Sequence, residues 1–358
     1  MMKLAVISVT RNGAELAARL QKILPGPVAL FAKAGRHGRT NQQEYDSLSE
    51  LVSAIFSNYD GLIFIMSTGI VVRVIAPFVQ DKRYDPAVVV MDDLGRHVVS
   101  LLSGHIGGAN ELTRSISQLI GADPVITTAT DIANRPAADI LAVKLNLVME
   151  PFEKMKTINA AIAAGERVRF FIDPELPDRG EYAVKAAALG IQLEDMGQLA
   201  QDGLYDAAVI ITSRELDILK PHLYLRPACL AAGIGCRRGV PGAEILAALK
   251  DACREAGHSI KSVAVLGSTV VKNDEVGLLS AAEQLEIPIE FFSNEQIQTK
   301  IDSHGLETSP FVKQQIGVGN VCEPAAMLAG LADRLILPRK KYSKITVALA
   351  PVTFRWWE

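Results

Sequence analysis

The stretch GLIFIMSTGIVVR, residues 61–73, joins the two kinds of element that alternate through the first part of this sequence. Gly61 to Met66 is an unbroken apolar run, as is typical of a strand buried on both faces of a sheet. A Ser-Thr-Gly turn follows at 67–69, and the segment behind it is suited to a helix. A strand that passes directly into a helix predicts an α/β architecture.

The same alternation continues on both sides of this stretch, up to about residue 145. Other short apolar runs predict strands at Leu4–Val9, Val28–Phe31, Ala87–Met91 and Val125–Thr128. A helix is predicted up to Ile120, because apolar residues recur there with a helical period and Gly121 stands where a C-cap belongs. Arg96–Leu102 is suited to an antiparallel hairpin with the strand before it, across a turn at 93–95.

The length of 358 residues predicts two or three domains, since domains usually contain about 100–200 residues. We predict N-terminal and C-terminal α/β sandwich-like domains, residues 1–145 and 226–358, with a small α/β middle region at 146–225. The middle region has few distinctive features besides the predicted strands Val168–Ile172 and Ala208–Ile211. In the last region a helix is predicted at Pro241–Ala256, between strands at Ala228–Gly233 and Ser262–Leu266.

Composition excludes several classes of function. Hydrophobic residues make up 49% of the chain. The 37 basic and 40 acidic residues nearly balance, so the protein has no overall positive field that would attract nucleic acid or an anionic membrane. No run approaches the length of about 18 apolar residues that a transmembrane helix needs. The four cysteines form no C-x-x-C pair, so we expect a cytoplasmic protein with reduced thiols.

Two glycine-containing turns in the first region are candidate ligand sites. The first turn, at Ser67, Thr68 and Gly69, begins a predicted helix that contains Arg73. This arrangement is either an anion-binding site or an ordinary N-cap followed by a surface arginine. The second turn carries His105, Gly107, Gly108 and Asn110 before the next helix. Its glycines permit a close approach to a ligand, although a single histidine is more often structural.

Two further segments have a similar character. Thr128 and Asp131 follow a predicted strand, where they either bind polar groups or cap the next helix. Gly235 and Arg237 belong to a G-x-G-x-x-x-G run whose third glycine is displaced from the dinucleotide pattern, so a nicotinamide site is disfavoured. Arg237 at a helix start is instead suited to a carboxylate or phosphate. No metal-ligand spacing, serine-hydrolase motif or Walker A motif occurs in the sequence.

Taken together, these segments resemble the CbiG family of anaerobic cobalamin biosynthesis, the cobalt-precorrin-5A hydrolases. Six segments match in the same order along nearly the whole chain: 67–77, 101–110, 125–131, 233–237, a group containing Ser268, Thr269, Lys272 and Glu275, and a Val-Cys-Glu-Pro-Ala-Ala segment at 321–326 that contains Glu323.

The resemblance implies an enzyme that opens the ring A lactone of cobalt-precorrin-5A. The C20 two-carbon unit leaves as acetaldehyde, and cobalt-precorrin-5B is the product. It implies a corrinoid substrate that brings its own cobalt, with no separate cofactor and no metal site of the protein's own. We expect no nucleic-acid or membrane partner, and contact with neighbouring pathway enzymes is at most transient. Methyl transfer is not expected, because little chain follows the last domain.

The chemistry of such a substrate suggests roles for these residues. Its acetate and propionate groups need cations, for which Arg73, Arg237 and Lys272 are the candidates. Lactone opening needs a base, an acid and oxyanion donors. His105 is the candidate base or acid, with Asp131 or Glu275 as the carboxylate alternative, and the N–H groups near Gly107 and Gly108 are the candidate oxyanion donors.

Three alternatives stay open. His105 could instead bind the substrate's cobalt axially. The protein could be a non-enzymatic carrier of corrinoid intermediates, which would need the arginines and glycines but no titratable group at the reacting centre. A nucleotide-using α/β enzyme is supported only by the displaced glycine run.

Overall fold

The computed structural model describes residues 1–36, 42–128, 136–200 and 203–353. The protein forms two compact units, Met1–Ile140 and Leu141–Glu358. Both are built from parallel-rich sheets with helices, so the α/β prediction is confirmed for the terminal regions and for the middle region. No helix within the described ranges is long and apolar enough to cross a bilayer.

The first unit contains one seven-stranded sheet. Its strands are β1 (Leu4–Ser8), β2 (Val28–Lys33), β3 (Gln43–Tyr45), β4 (Gly61–Ile65), β5 (Ala87–Met91), β6 (His97–Leu102) and β7 (Asp123–Val125). They lie in the order β3-β2-β1-β4-β5-β6-β7. The helices are α1 (Arg11–Ile23), α2 (Leu48–Ile55), α3 (Thr68–Ile75) and α4 (Ala109–Ile120), and α5 (Ala138–Lys144) begins at the end of the unit.

Alternate residues of β4 point into the two cores of this sheet. Ile63 and Ile65 pack in the core that also contains residues of α1 and α4. Leu62 and Phe64 pack in the other core, with residues of α2 and α3. Burial on both faces explains why this strand is an unbroken apolar run in the sequence.

The direction of β6 determines where the predicted site residues lie. Strands β1, β4 and β5 are mutually parallel, whereas β6 is antiparallel to β5, with Met91 opposite Val98 and Val88 opposite Leu102. The predicted hairpin is therefore confirmed. Because β6 runs backwards, the segment after Leu102 leaves the sheet at the edge where β4 and β5 begin.

The strand predicted at Val125–Thr128 is wrong in its bounds. Strand β7 pairs only with the first part of β6, from His97 to Val99, and ends at Val125. The chain then turns away, and the Thr128 hydroxyl accepts a hydrogen bond from the Asn110 amide at 3.0 Å. The Thr128 hydroxyl thus finds its partner on helix α4 and not in the sheet.

The second unit begins with a five-stranded sheet. Its strands are β8 (Val148–Glu150), β9 (Val168–Ile172), β10 (Leu193–Asp195), β11 (Ala207–Ile211) and β12 (His222–Arg226), in the order β10-β9-β11-β12-β8. Only β8 is antiparallel to its neighbour. The associated helices are α6 (Lys154–Ala164) and α7 (Arg179–Ala187).

The last sheet also has five strands. These are β13 (Leu230–Cys236), β14 (Val263–Thr269), β15 (Ile289–Phe292), β16 (Leu337–Lys341) and β17 (Ile345–Pro351), in the order β15-β14-β13-β17-β16. The helices are α8 (Gly242–Glu255), α9 (Val276–Leu285), α10 (Asn294–His304), α11 (Pro310–Ile316) and α12 (Cys322–Ala329). Helix α8 agrees with the predicted helix to within one residue at each end.

Helix α12 lies directly on the backbone of β13 and β14. A Cβ on Gly233 would lie 1.8 Å from the Cys322 carbonyl oxygen, and one on Gly267 would lie 2.5 Å from the Ala325 carbonyl oxygen. No other residue type fits so close a contact. The first glycine of the displaced G-x-G run therefore serves helix–sheet packing.

Candidate active site

His105 lies in a tightly folded loop between β6 and α4. Ser103 has a left-handed backbone with φ of 56°. Its carbonyl accepts the Ala109 N–H at 3.1 Å, and the Gly104 carbonyl accepts the Asn110 N–H at 2.9 Å. A Cβ on Gly107 would lie 2.4 Å from the Ser103 Cβ, so the loop can close only around glycine.

The imidazole of His105 faces a buried carboxylate. Its Nδ1 lies 3.1 Å from both Oδ1 and Oδ2 of Asp139, in the first turn of α5. The side chains are 9% and 4% exposed, respectively. The Ile140 N–H also donates to Asp139 Oδ1, at 3.0 Å. With Nδ1 committed to the carboxylate, proton exchange with a ligand must use Nε2.

Asn110 connects the His105 loop to its surroundings. It is buried at the start of α4, and its Oδ1 accepts the Ser100 hydroxyl at 2.7 Å. Its Nδ2 donates to Thr128. Asn110 and Thr128 thus hold β6, α4 and the segment after β7 together, which fixes the position of the loop.

The backbone donors of the loop differ in availability. The Gly108 N–H donates to the His105 carbonyl at 3.1 Å and is therefore occupied. Within the described ranges, the Gly107 N–H donates to no protein acceptor. The Ser103 hydroxyl is buried and has no partner in the same ranges. Of the predicted oxyanion donors, the structure leaves Gly107 available.

The turn at Ser67, Thr68 and Gly69 lies elsewhere. It follows β4 at the carboxyl edge of the sheet, whereas the His105 loop follows β6 at the opposite edge. All three turn residues are exposed, and the Ser67 side chain caps no backbone group. Arg73 is also exposed, and its Nη1 donates to the Gly69 carbonyl at 2.9 Å. At about 3.3 Å per residue, a five-residue strand separates the two edges by roughly 17 Å.

Predicted site residues of the last sheet divide into buried and exposed groups. The Ser268 hydroxyl donates to the Ile234 carbonyl at 2.8 Å, and that of Thr269 donates to Asn294 Oδ1 at 3.0 Å. Glu323 accepts from the Asn320 side chain and, at 3.1 Å, from the Arg339 N–H. These contacts give all three buried side chains structural roles.

Glu275 and Lys272 form a buried pair, with side chains 6% and 9% exposed. Glu275 Oε1 accepts the Gly239 N–H at 2.7 Å, and its Oε2 lies 3.6 Å from Lys272 Nζ. The latter distance is an ion pair but exceeds a hydrogen bond. The carboxylate is therefore committed to local structure, whereas the ammonium retains donor capacity.

Arg237 is an exposed cation in this region. Its N–H donates to the Lys344 carbonyl at 3.0 Å, while its guanidinium has no hydrogen-bond or ion-pair partner among the described residues. Gly235, two residues earlier, lies inside β13 opposite Thr346, where a Cβ would come within 2.6 Å of the threonine hydroxyl. Packing thus explains Gly235 without a ligand.

Three family models match the chain in succession. They are described as "Cobalamin synthesis G N-terminal" over residues 50–131, "Cobalamin biosynthesis central region" over 136–227 and "Cobalamin synthesis G C-terminus" over 230–350. A cobalt-precorrin-5A hydrolase of Priestia megaterium is 34% identical over 98% of this chain and 95% of its own. The chain belongs to the CbiG family.

A second relative agrees with this assignment, and one solved structure is also similar to the chain. A cobalt-precorrin-5A hydrolase of Salmonella typhimurium is 38% identical over 91% of each chain. A crystal structure described as a putative cobalamin biosynthesis protein G homolog from Sulfolobus solfataricus is 20% identical, covers 98% of this chain and 97% of its own, and has a TM-score of 0.37.

Of the predicted site residues in this CbiG protein, the structure brings together His105, Gly107, Gly108, Asn110 and Thr128. It places Ser67, Thr68, Gly69 and Arg73 at the other edge of the same sheet. Asp131 lies outside the described residues. Among the described residues, the carboxylate beside His105 is Asp139. Sequence reasoning missed it, because an acidic residue in the first turn of a helix is usually an ordinary electrostatic feature.

Proposed function

We propose that this protein is a cobalt-precorrin-5A hydrolase. The observation that carries the proposal is its 34–38% identity to two enzymes of that name over nearly the full length of each chain. Cobalt-precorrin-5A and one water are the substrates, and cobalt-precorrin-5B and acetaldehyde are the products. A reduced, cytosolic setting agrees with four cysteines that are all free thiols.

The His105 loop has the groups that lactone hydrolysis requires. His105 Nε2 takes a proton from water, and the water oxygen attacks the ring A lactone carbonyl. The Gly107 N–H stabilises the oxyanion, and the protonated imidazole returns its proton to the leaving oxygen as the ester C–O bond breaks. The released hydroxyl on C20 then gives its proton to the surrounding water and becomes the aldehyde carbonyl as the carbon–carbon bond between C20 and the macrocycle breaks. The electron pair of that carbon–carbon bond remains on the macrocycle.

Cations on three separate elements are available for the carboxylates of the substrate. Arg73 and Arg237 are exposed and have no carboxylate partner in the described part of the chain. The Lys272 ammonium makes an ion pair with Glu275 but no hydrogen bond among the residues that the structure describes. We assign substrate binding to these three, and we expect no resident cofactor, because the cobalt enters with the corrinoid.

The direct test is anaerobic incubation of purified protein with cobalt-precorrin-5A, followed by assay of acetaldehyde. The wild type should release one acetaldehyde per corrinoid, and His105→Ala and His105→Gln should lower kcat by at least about 100-fold. Release of no acetaldehyde despite tight substrate binding would favour the carrier alternative. A ring-opened corrinoid that keeps its C20 unit would limit the enzyme to the hydrolytic step.

A spectroscopic experiment distinguishes a His105 that acts as a base from a His105 that binds the cobalt of the substrate. The electron paramagnetic resonance spectrum of the cobalt(II) substrate should be the same when bound to the wild type and to His105→Gln. A nitrogen hyperfine splitting that appears only with the wild type would make His105 an axial ligand and would contradict the base assignment.

A further inference from the structure

Asp139 is the nearest acidic neighbour of His105 that the structure describes. Both carboxylate oxygens lie 3.1 Å from His105 Nδ1, and both side chains are almost fully buried. The Ile140 N–H donates to Oδ1, so the carboxylate is itself held in place. Such a bond between buried groups is stronger than one in water.

We propose that Asp139 is the positioning residue for His105 in the hydrolytic step, an inference that rests on the proposed function. An ionised carboxylate only accepts hydrogen bonds, so Nδ1 of a neutral imidazole facing it must carry the proton. The lone pair is thereby placed on Nε2, the nitrogen that must take a proton from water. Without the Asp139 carboxylate, the charge that selects this tautomer is lost, and a ring that carries its proton on Nε2 cannot act as the base.

Asp139 also balances the charge that appears during the reaction. When Nε2 takes up a proton, the imidazole becomes a cation on a side chain that is only 9% exposed. A carboxylate 3.1 Å from Nδ1 stabilises this cation without any rearrangement. When Nε2 returns the proton to the leaving oxygen, the neutral Nδ1–H tautomer is restored. Asp139 therefore assists both the uptake and the return of the proton by His105, without becoming protonated itself.

The test uses Asp139→Asn, which keeps the size and one oxygen acceptor of the side chain but removes its charge. We expect kcat to fall by about 100-fold while the Kd for cobalt-precorrin-5A stays within about threefold. In a His105→Ala background, Asp139→Asn should cause no further loss, because a positioning residue acts only through its histidine. Asp123→Asn, an exposed carboxylate in the same unit, is the matched control.

A spectroscopic measurement separates positioning from a general structural role. In the wild type at pH 8, nitrogen-15 NMR should show the His105 ring as the neutral tautomer with the proton on Nδ1. Asp139→Asn should give a mixture of tautomers at an unchanged melting temperature. An unchanged kcat, or an equal fractional loss of kcat in the presence and absence of His105, would overturn the assignment.

Failure of this inference is distinguishable from failure of the proposed function. If wild-type protein releases no acetaldehyde, the proposed function itself fails. If the wild type is active and His105→Ala is inactive, but Asp139→Asn has normal kinetics, only the role of Asp139 is wrong.

Discussion

His105 and Ser67 lie at opposite edges of one sheet, because His105 follows a strand that runs antiparallel to the strand before Ser67. A water activated by His105 is therefore remote from the Ser67 turn. If both contact one substrate, the Ser67 turn and Arg73 bind a part of it that is distant from the lactone. Binding and chemistry are thus assigned to different edges of the sheet.

Arg73→Ala should consequently affect binding more than chemistry. Loss of one guanidinium–carboxylate contact should raise KM about tenfold while kcat stays within about twofold. Steady-state kinetics with cobalt-precorrin-5A measure both parameters. Arg83→Ala is the control, since it also removes a cation but one that is already paired with Asp81. A fall of kcat at unchanged KM in Arg73→Ala would contradict this separation.

Gly107→Ala should damage the catalytic loop. The added methyl group would lie 2.4 Å from the Ser103 Cβ, so either Ser103 or the His105 loop must move. We expect a loss of at least about 1 kcal/mol in the free energy of unfolding, together with a lower kcat. Chemical denaturation and turnover assays provide the two readouts.

Gly180→Ala is the matched control for this substitution, because a Cβ there meets no atom within 4 Å. It should leave kcat unchanged and preserve or slightly increase stability in helix α7. Equal behaviour of the two alanine variants would show that the loop tolerates expansion and that its close contact is unimportant.

Glu275→Gln should act on stability and not on the chemical step. The glutamine can still accept the Gly239 N–H, but Lys272 would lose its buried counter-charge. Breaking such a pair costs about 3 kcal/mol in the free energy of unfolding. Urea titration measures this loss. If the folded variant lost kcat by more than about 100-fold, Glu275 would return as a candidate acid or base.

The stability of the second unit should depend on pH through the protonation of His258. Burial, and next the nearby Arg214 guanidinium, lower the pKa of His258, and they outweigh the opposite effects of Asp173 and Glu175. The unfolded chain therefore binds a proton more readily than the folded protein. Stability is complete above the unfolded pKa of about 6.5 and is lost as pH falls below it.

Chemical unfolding between pH 7.5 and pH 5.5 tests whether stability falls as the pH is lowered. The free energy of unfolding should decrease toward pH 5.5 in the wild type, and the decrease should be smaller in His258→Gln. The glutamine can still contact Ser213, whose hydroxyl lies 2.9 Å from His258 Nδ1. His97→Gln, at an exposed histidine, should keep the wild-type slope, and an identical slope in all three proteins would exclude His258 as the cause.

Sequence patterns predicted those parts of the fold that are determined locally. The apolar runs around Ile63 and Phe171 became buried strands, and Gly121 ends its helix with φ of 73°. Short edge strands such as β8 and β10 escaped prediction, because three residues carry little periodicity. The final strands β16 and β17 of the last sheet were also missed, since the antiparallel pairing of β17 with β13 depends on contacts remote in sequence.

The candidate site was predictable in its residue types but not in its pairings. The glycines around His105 indicated a tight loop, and the structure confirms its close backbone contacts. The partnership with Asp139 spans 34 residues and depends on how α5 packs, which no local pattern encodes. Similarly, Ser268 and Glu323 appeared suited to a ligand, whereas their polar atoms are occupied by Ile234 and Arg339 within the core.

The central claim is that water activated at His105 opens the lactone, and a single turnover in oxygen-18 water under anaerobic conditions tests it most directly. Mass spectrometry of the cobalt-precorrin-5B formed by the wild type should show one heavy oxygen in a newly formed carboxylate, with acetaldehyde released at the same time. His105→Gln should form neither product at a comparable rate. Acetaldehyde release with no label in the corrinoid, or full labelling by His105→Gln, would contradict the account.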